Sequence, residues 1–348
     1  MLLNKTSGFA LIIIFLLLIF AGCSQNIETV GNIDNDIQEK PLPIEETANE
    51  EEMTVNEEET ETEINYQKIK PNEAGEIMVL MYHNIGKEEK DWVRTAENFR
   101  KDLQALYDNG YRPISLKDYV TGNITTEAGF SPVVITFDDG WQNQFNILEK
   151  NDDGYIIDSD CAVGILMDFH ESHPDFPLEV TFFINNNVPF GQKEYLEYKL
   201  NFIVENGMDI GNHTASHIDL KGNVDKERIN KEISAVKEMV ENYVDGYEVN
   251  VLSLPLGHWP NNDGLKKAVI KEENLYENIG IVQVGWDPYK SPFSADFNPH
   301  AIHRIHGSDL KSHTDGFGVY DWMAFLEKGT RLKYVSDGNP DKVTVPEK

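Results

Sequence analysis

The sequence predicts an α/β fold built on a parallel sheet, open or closed, and three observations carry the expectation. Short β-branched apolar runs alternate with longer amphipathic segments along residues 77–286. Several of the apolar runs end directly in carboxyl or imidazole side chains, the position where parallel α/β sheets expose their chemistry. With 348 residues and 40% hydrophobic content, the chain can bury a sizeable core.

The elements follow in order. Ile77-Met78-Val79-Leu80-Met81-Tyr82-His83 reads as a strand closed by a polar pair. Phe99, Leu103, Leu106 and Tyr107 recur at helical spacing over 97–109, and Gly110 stops that helix. Tyr111 to Ser115 is a short strand, and Pro132-Val133-Val134-Ile135 opens a buried strand over 132–137. Residues 141–170 read as partly helical, interrupted by the acidic, turn-rich Asn151-Asp152-Asp153-Gly154. Val180 to Ile184 is a strand, 195–205 a helix ending near Gly207, and 208–211 leads into a pair of histidines. A charged amphipathic helix over 226–243 precedes strands over 249–254 and 279–286.

Two motifs concentrate the chemistry. Asp138 and Asp139, in Thr136-Phe137-Asp138-Asp139-Gly140, stand at the end of a strand. His213 and His217 are four apart, so on a helical turn both imidazoles face one way and can share an ion. Two His and one carboxylate leave coordination positions open, the mark of a catalytic metal site. The second carboxylate is then free to act as a base, which is a hydrolase site in outline.

The N-terminus has a different character. Phe9 to Phe20 is an unbroken apolar run of about 12 residues, short of the roughly 20 that span a bilayer. It reads as a secretory signal peptide. Phe20-Ala21-Gly22-Cys23 resembles a bacterial lipobox with Phe where Leu is usual, so residues 1–23 are expected to be a lipoprotein signal ending at a lipidated Cys23. Residues 24–70 hold 14 Asp or Glu against three Lys, too charged and too poor in apolar groups to fold, and read as a disordered tether. The expected domain covers 71–348. The formal charge of −30 argues against nucleic acid as a partner. Cys161, the second of two cysteines, sits in an apolar stretch and reads as a buried small hydrophobe without a disulfide.

Thr136-Phe137-Asp138-Asp139, His213-Thr214-x-x-His217 and Pro255-x-Gly257, with the opening Val79-Leu80-Met81-Tyr82-His83-Asn84-Ile85, make the chain resemble the polysaccharide deacetylases of carbohydrate esterase family 4, the NodB homology domain. The resemblance runs from about residue 77 to 310. It implies a distorted (β/α) barrel of about seven repeats, in a single catalytic domain, with the site at the strands' C-terminal ends. Asp139, His213 and His217 would hold one divalent ion, zinc first, although two imidazoles and a carboxylate also accept cobalt or nickel. Asp138 would be the general base, the Leu256 N–H would hold the oxyanion, and Trp286 would wall the acetyl group. The family's third motif usually begins with Arg, and Ser253-Leu254-Pro255-Leu256-Gly257 has none; Arg304 is the expected replacement. The late His motif is irregular, with His303 and His306 as candidates for the general acid and His306 preferred.

The expected activity is a metal-dependent N-deacetylase acting on N-acetylglucosamine units of an envelope or extracellular polysaccharide. It would sit on the outer face of the cell membrane, lipid-anchored through Cys23. Two alternatives stand beside it: a catalytically weak carbohydrate-binding lipoprotein of the same fold, and a deacetylase of a small non-polymeric substrate.

Overall fold

The computed structural model describes residues 64–152, 154–185 and 188–346. The apolar run 9–20, Cys23 and the acidic segment up to residue 63 lie outside the described residues. Eight parallel strands organise the rest: β1 (Met78–Tyr82), β2 (Tyr111–Pro113), β3 (Ser131–Phe137), β4 (Val180–Ile184), β5 (Asp209–Asn212), β6 (Val251–Ser253), β7 (Gly280–Val284) and β8 (Ile302–His306). Their order is β1-β8-β7-β6-β5-β4-β3, and β3 pairs back onto β1 from Met78↔Val133 to Tyr82↔Phe137. Seven strands therefore close a barrel, as expected, while β2 pairs only with β3 along its flank. Because all are parallel, their C-terminal ends gather at one mouth.

Alternation sorts the strand residues into two layers. Val79, Val134, Phe183, Val251, Val282 and Ile302 form one buried cluster, the barrel interior. Met78, Leu80, Val133, Ile135 and Phe182 join the helices, meeting Phe99, Leu103, Val163, Leu200 and Val236. The same phase carried past the strand ends puts His83, Asp138, His213, Ser253 and Arg304 in register with the interior set. This phase is what assembles a site.

The helices form where capping and spacing dictate. Thr95 Oγ1 accepts from the Asn98 N–H to start Ala96–Asp108, and Gly110 ends it at φ 73°. Asp225 caps Lys226–Tyr243, which buries Ile229, Ile233, Val236 and Val240 along one face. Cys161 is buried and free, and its Sγ accepts from the Gly164 N–H at the start of Ala162–Ser172.

Three local expectations change. Residues 147–157 form an antiparallel hairpin, Ile147–Asn151 with Gly154–Ile157, before the helix begins at Ala162. Asn151 pairs with Gly154, so two short β-prone arms stand where a short helical period was expected. The tether expected over 24–70 overlaps a helical turn at Tyr66–Ile69, where Ile69 lies against Gly129. The His213–His217 segment is not helical. It is a turn with Thr214 and His217 at positive φ, 59° and 51°.

Lys199 pins the loops beside the site. Its fully buried ammonium donates to Phe145 O, Phe190 O and Gln192 Oε1 at 2.6–2.7 Å. Replacing it with Met strands Phe145 O, while Phe190 O keeps the Gln192 N–H and Gln192 Oε1 keeps the Ile147 N–H; an acceptor that stays dry costs about 1–3 kcal/mol. Lys199→Met is expected to lose about 1–3 kcal/mol of unfolding free energy, and an unchanged urea midpoint would refute this role.

Candidate metal centre and active site

Asp139, His213 and His217 converge at the barrel mouth. His213 Nε2 lies 3.5 Å and His217 Nε2 3.7 Å from Asp139 Oδ1, and one donor atom from each residue lies within 4.8 Å of the others. Metal–ligand bonds of about 2.0–2.2 Å at tetrahedral angles place donors roughly 3.4 Å apart, so the spacing fits a divalent ion. The donors are also oriented for one. His213 Nδ1 lies 2.9 Å from Ser253 O, which sets Nδ1 as the N–H donor and leaves the Nε2 lone pair facing the centre. Trp141 Nε1–H donates to Asp139 Oδ2 at 2.9 Å, leaving Oδ1 toward the histidines. Asp139 at φ 78° and Gly140 at φ 65° are both left-handed, which turns the chain sharply after β3.

Asp138 is buried and faces Arg304. Arg304 Nη1 donates to Asp138 Oδ1 at 2.7 Å and Nη2 to Oδ2 at 2.6 Å, a bidentate pair. Thr136 Oγ1 and Ser253 Oγ accept from the same guanidinium at 3.0 and 2.9 Å, and Ser253 Oγ donates to Asp138 Oδ2 at 3.1 Å. Ser253, at the start of the third motif, thus leaves space for a guanidinium arriving from β8. Burial alone would raise the Asp138 carboxyl, but Arg304, with His213 and His83, holds it well below the usual carboxylate range. It is ionised at neutral pH.

The histidines divide unexpectedly. His83 Nε2 is 3.9 Å from Asp138 Oδ2, and burial pushes this imidazole down to about 4 against the pull of Asp138 and Asp139. His306 Nε2 instead faces His313 Nε2 at 2.6 Å, and burial, followed by His313, lowers His306 to about 2. His303 pairs with Asp287 at 3.1 Å. The resemblance offered His306 as the general acid; the structure places His83 beside Asp138 and His306 beside His313. The sign was present in the sequence, since His83 directly follows β1 in the inward phase. Trp92 links the groups, its ring centroid 4.6 Å from His83 and 4.8 Å from both His306 and His313.

Leu256 sits at φ 58° within the Pro255–Gly257 turn, and its side chain is exposed. Trp286 is 69% exposed, not a core residue, and lines a cavity of about 360 Å³ with Trp92, Val284, His306 and Phe317. Val284 in turn lies against Gly257, tying that cavity to the third motif.

Residues 175–271 match the family model described as polysaccharide deacetylase, a segment that holds His213, His217 and Leu256 but not Asp138, Asp139 or Arg304. No curated protein matches the sequence. A Bacillus anthracis protein named as a polysaccharide deacetylase is 21% identical with a TM-score of 0.52, over 70% of this chain and 69% of that chain. A deacetylase of Streptococcus pyogenes, solved with acetate, is 18% identical with a TM-score of 0.51, over 67% and 92%. IcaB from Ammonifex degensii is 16% identical with a TM-score of 0.50, over 72% and 97%. The barrel therefore has the fold of solved polysaccharide deacetylases, and residues 175–271 are similar to the polysaccharide deacetylase family model.

Proposed function

We propose that this chain is a hydrolase that removes acetyl groups from N-acetylglucosamine units of a cell-envelope or extracellular polysaccharide, with one divalent ion held by Asp139, His213 and His217. The observation that carries the reading is the convergence of those three donors beside a second, ionised carboxylate fixed by Arg304. Zinc is the first choice, and cobalt or nickel fit the same donor set. When bound, the ion supplies Lewis-acid polarisation of the acetyl carbonyl and a more acidic water.

The protein groups do the rest. Asp138 accepts the proton of the attacking water, with Arg304 and Ser253 fixing the orientation of its carboxylate. A carboxylate held so far below the usual range is a weak base, so its contribution rests on position more than on proton affinity. His83 Nε2, 3.9 Å away, passes the proton to the departing nitrogen. An imidazole lowered by burial gives up a proton readily once it has one. The Leu256 N–H donates to the oxyanion, and Trp286 walls the acetyl group. A third motif without Arg and an irregular late His motif would suit a catalytically weak homologue, and the paired contacts of Arg304 weaken the first of those grounds. The same proposal places the domain outside the membrane, lipid-anchored through Cys23.

The test is acetate release from peptidoglycan and from poly-N-acetylglucosamine by the purified chain. Release that stops with chelator and returns with zinc is the expected result. No release from either polymer by zinc-loaded protein would end the reading, and release from small amides alone would favour the non-polymeric alternative. Among the histidines, His83→Ala is expected to lower kcat by ~10²-fold or more, against less than ~10-fold for His306→Ala. The reverse ranking returns the acid role to His306.

A further inference from the structure

β1 and β3 pair as far as Tyr82↔Phe137, and the Asp138 N–H adds one more bond, to Tyr82 O at 2.9 Å. Beyond that rung His83 O and Asp138 O are both acceptors, so neither can bond the other. Gln144 joins them. It is fully buried, and its Nε2 donates to His83 O at 2.8 Å and to Asp138 O at 2.5 Å. A primary amide carries two hydrogens on one nitrogen, one for each carbonyl. Its Oε1 is buried with no partner among the described residues. Turning the amide over would set that oxygen against two carbonyl oxygens, so the orientation is fixed in spite of the lone acceptor. The main chain behind it is anchored too, since Gln144 O accepts from the Val163 N–H at 2.9 Å, at the start of helix Ala162–Ser172.

The two residues so joined depend on the joint unequally. The Asp138 carboxylate is already oriented by Arg304 and Ser253. His83 lacks such support: its Nδ1 is buried with no partner among the described residues, its Nε2 stands 3.9 Å from Asp138 Oδ2, and its ring lies against Trp92. The place of this imidazole is therefore set through its main chain. We propose that Gln144 is a positioning residue: by clamping the carbonyls of residues 83 and 138 it sets the separation of His83 from Asp138, and turnover depends on that separation. The inference rests on the deacetylase reading and on the role given there to His83. Gln144 itself touches neither substrate nor ion and acts only through the two residues it holds.

The experiment measures acetate release from poly-N-acetylglucosamine by zinc-loaded wild type, Gln144→Met and Gln144→Asn, with each substitution also made in a His83→Ala background. Gln144→Met keeps the length of the side chain and removes both N–H groups. It is expected to lower kcat ~30-fold or more, the scale of a misplacement of ~1 Å, with KM within ~3-fold of wild type and one ion still bound per chain. Gln144→Asn draws the amide back from both carbonyls and should fall between the two. In the His83→Ala background either substitution should lower kcat less than ~3-fold further, because the group it positions is gone. A merely structural loss would cost the same factor in both backgrounds. That result, or wild-type kcat in both variants, overturns the proposal while leaving a deacetylase in place. Melting temperatures check folding, and if Gln144→Met does not fold, Gln144→Asn decides by the same comparison. A wild type that releases no acetate ends the deacetylase reading, and crystal structures of wild type and variants then decide the clamp. His83 displaced from Asp138 keeps it, and an unmoved pair overturns it.

Discussion

Asp139→Asn is expected to lose stoichiometric divalent-ion binding and to lower kcat/KM for acetate release by ~10³-fold or more, since the ion contributes several kcal/mol to the transition state. The Asn variant is the informative one. Asp139 sits at φ 78°, a conformation Asn tolerates and Ala does not, so backbone strain is not confused with a lost ligand. The bond from Trp141 Nε1 can also persist to the amide oxygen. What changes is one anionic donor facing two imidazoles at 3.5 and 3.7 Å. Metal content after dialysis and the melting temperature with and without zinc are the measurements. Wild type should melt higher with zinc, because a ligand bound only by the folded state stabilises it, and Asp139→Asn should not. An Asn variant that keeps one ion per chain and full activity would remove Asp139 from the centre.

Arg304→Met is expected to cost about 3–5 kcal/mol of stability, and turnover ~10²-fold, because it strands the Asp138 charge inside the barrel. Arg304 is fully buried and makes two of the bonds to that carboxylate, leaving Ser253 Oγ as a lone donor after substitution. The Asp138 carboxyl is held below its ordinary value of 3.8, so the pair's stabilisation is fully present above that pH and is lost as pH falls through the depressed value. The gap between wild type and Arg304→Met should therefore be widest near neutrality and narrow in acid. Adding Asp138→Asn to Arg304→Met should restore much of the stability and none of the activity. Arg304→Lys is not conservative here, since an ammonium cannot reproduce the two-pronged bond. A double variant no more stable than Arg304→Met alone would mean that the charge pair is not what the guanidinium provides.

How much of this was legible depended on the range of the forces involved. The strands over 132–137 and 180–184 and the helix over 226–243 are set by neighbouring residues, through β-branched runs and an apolar stripe at helical spacing, and they appear where expected. The paired Asp and paired His were equally visible, because each motif is a few residues long. Hairpin 147–157 was misread because its short arms carry too few residues to separate one period from the other.

The site as a unit was a different matter. Arg304 was guessable as a cation inside the late histidine motif, but nothing local says that it crosses the barrel to grip Asp138 while Ser253 makes room. The resemblance offered His306 as the general acid, whereas closure of β1 against β3 brings His83 to Asp138 and leaves His306 against His313. The amino-acid order by itself determined which segments are strands and helices, and which side chains could bind an ion. Only the closed, staggered barrel decided which of those side chains meet, because a strand's inward phase is local but its neighbour and register are settled by pairings between residues far apart in the chain.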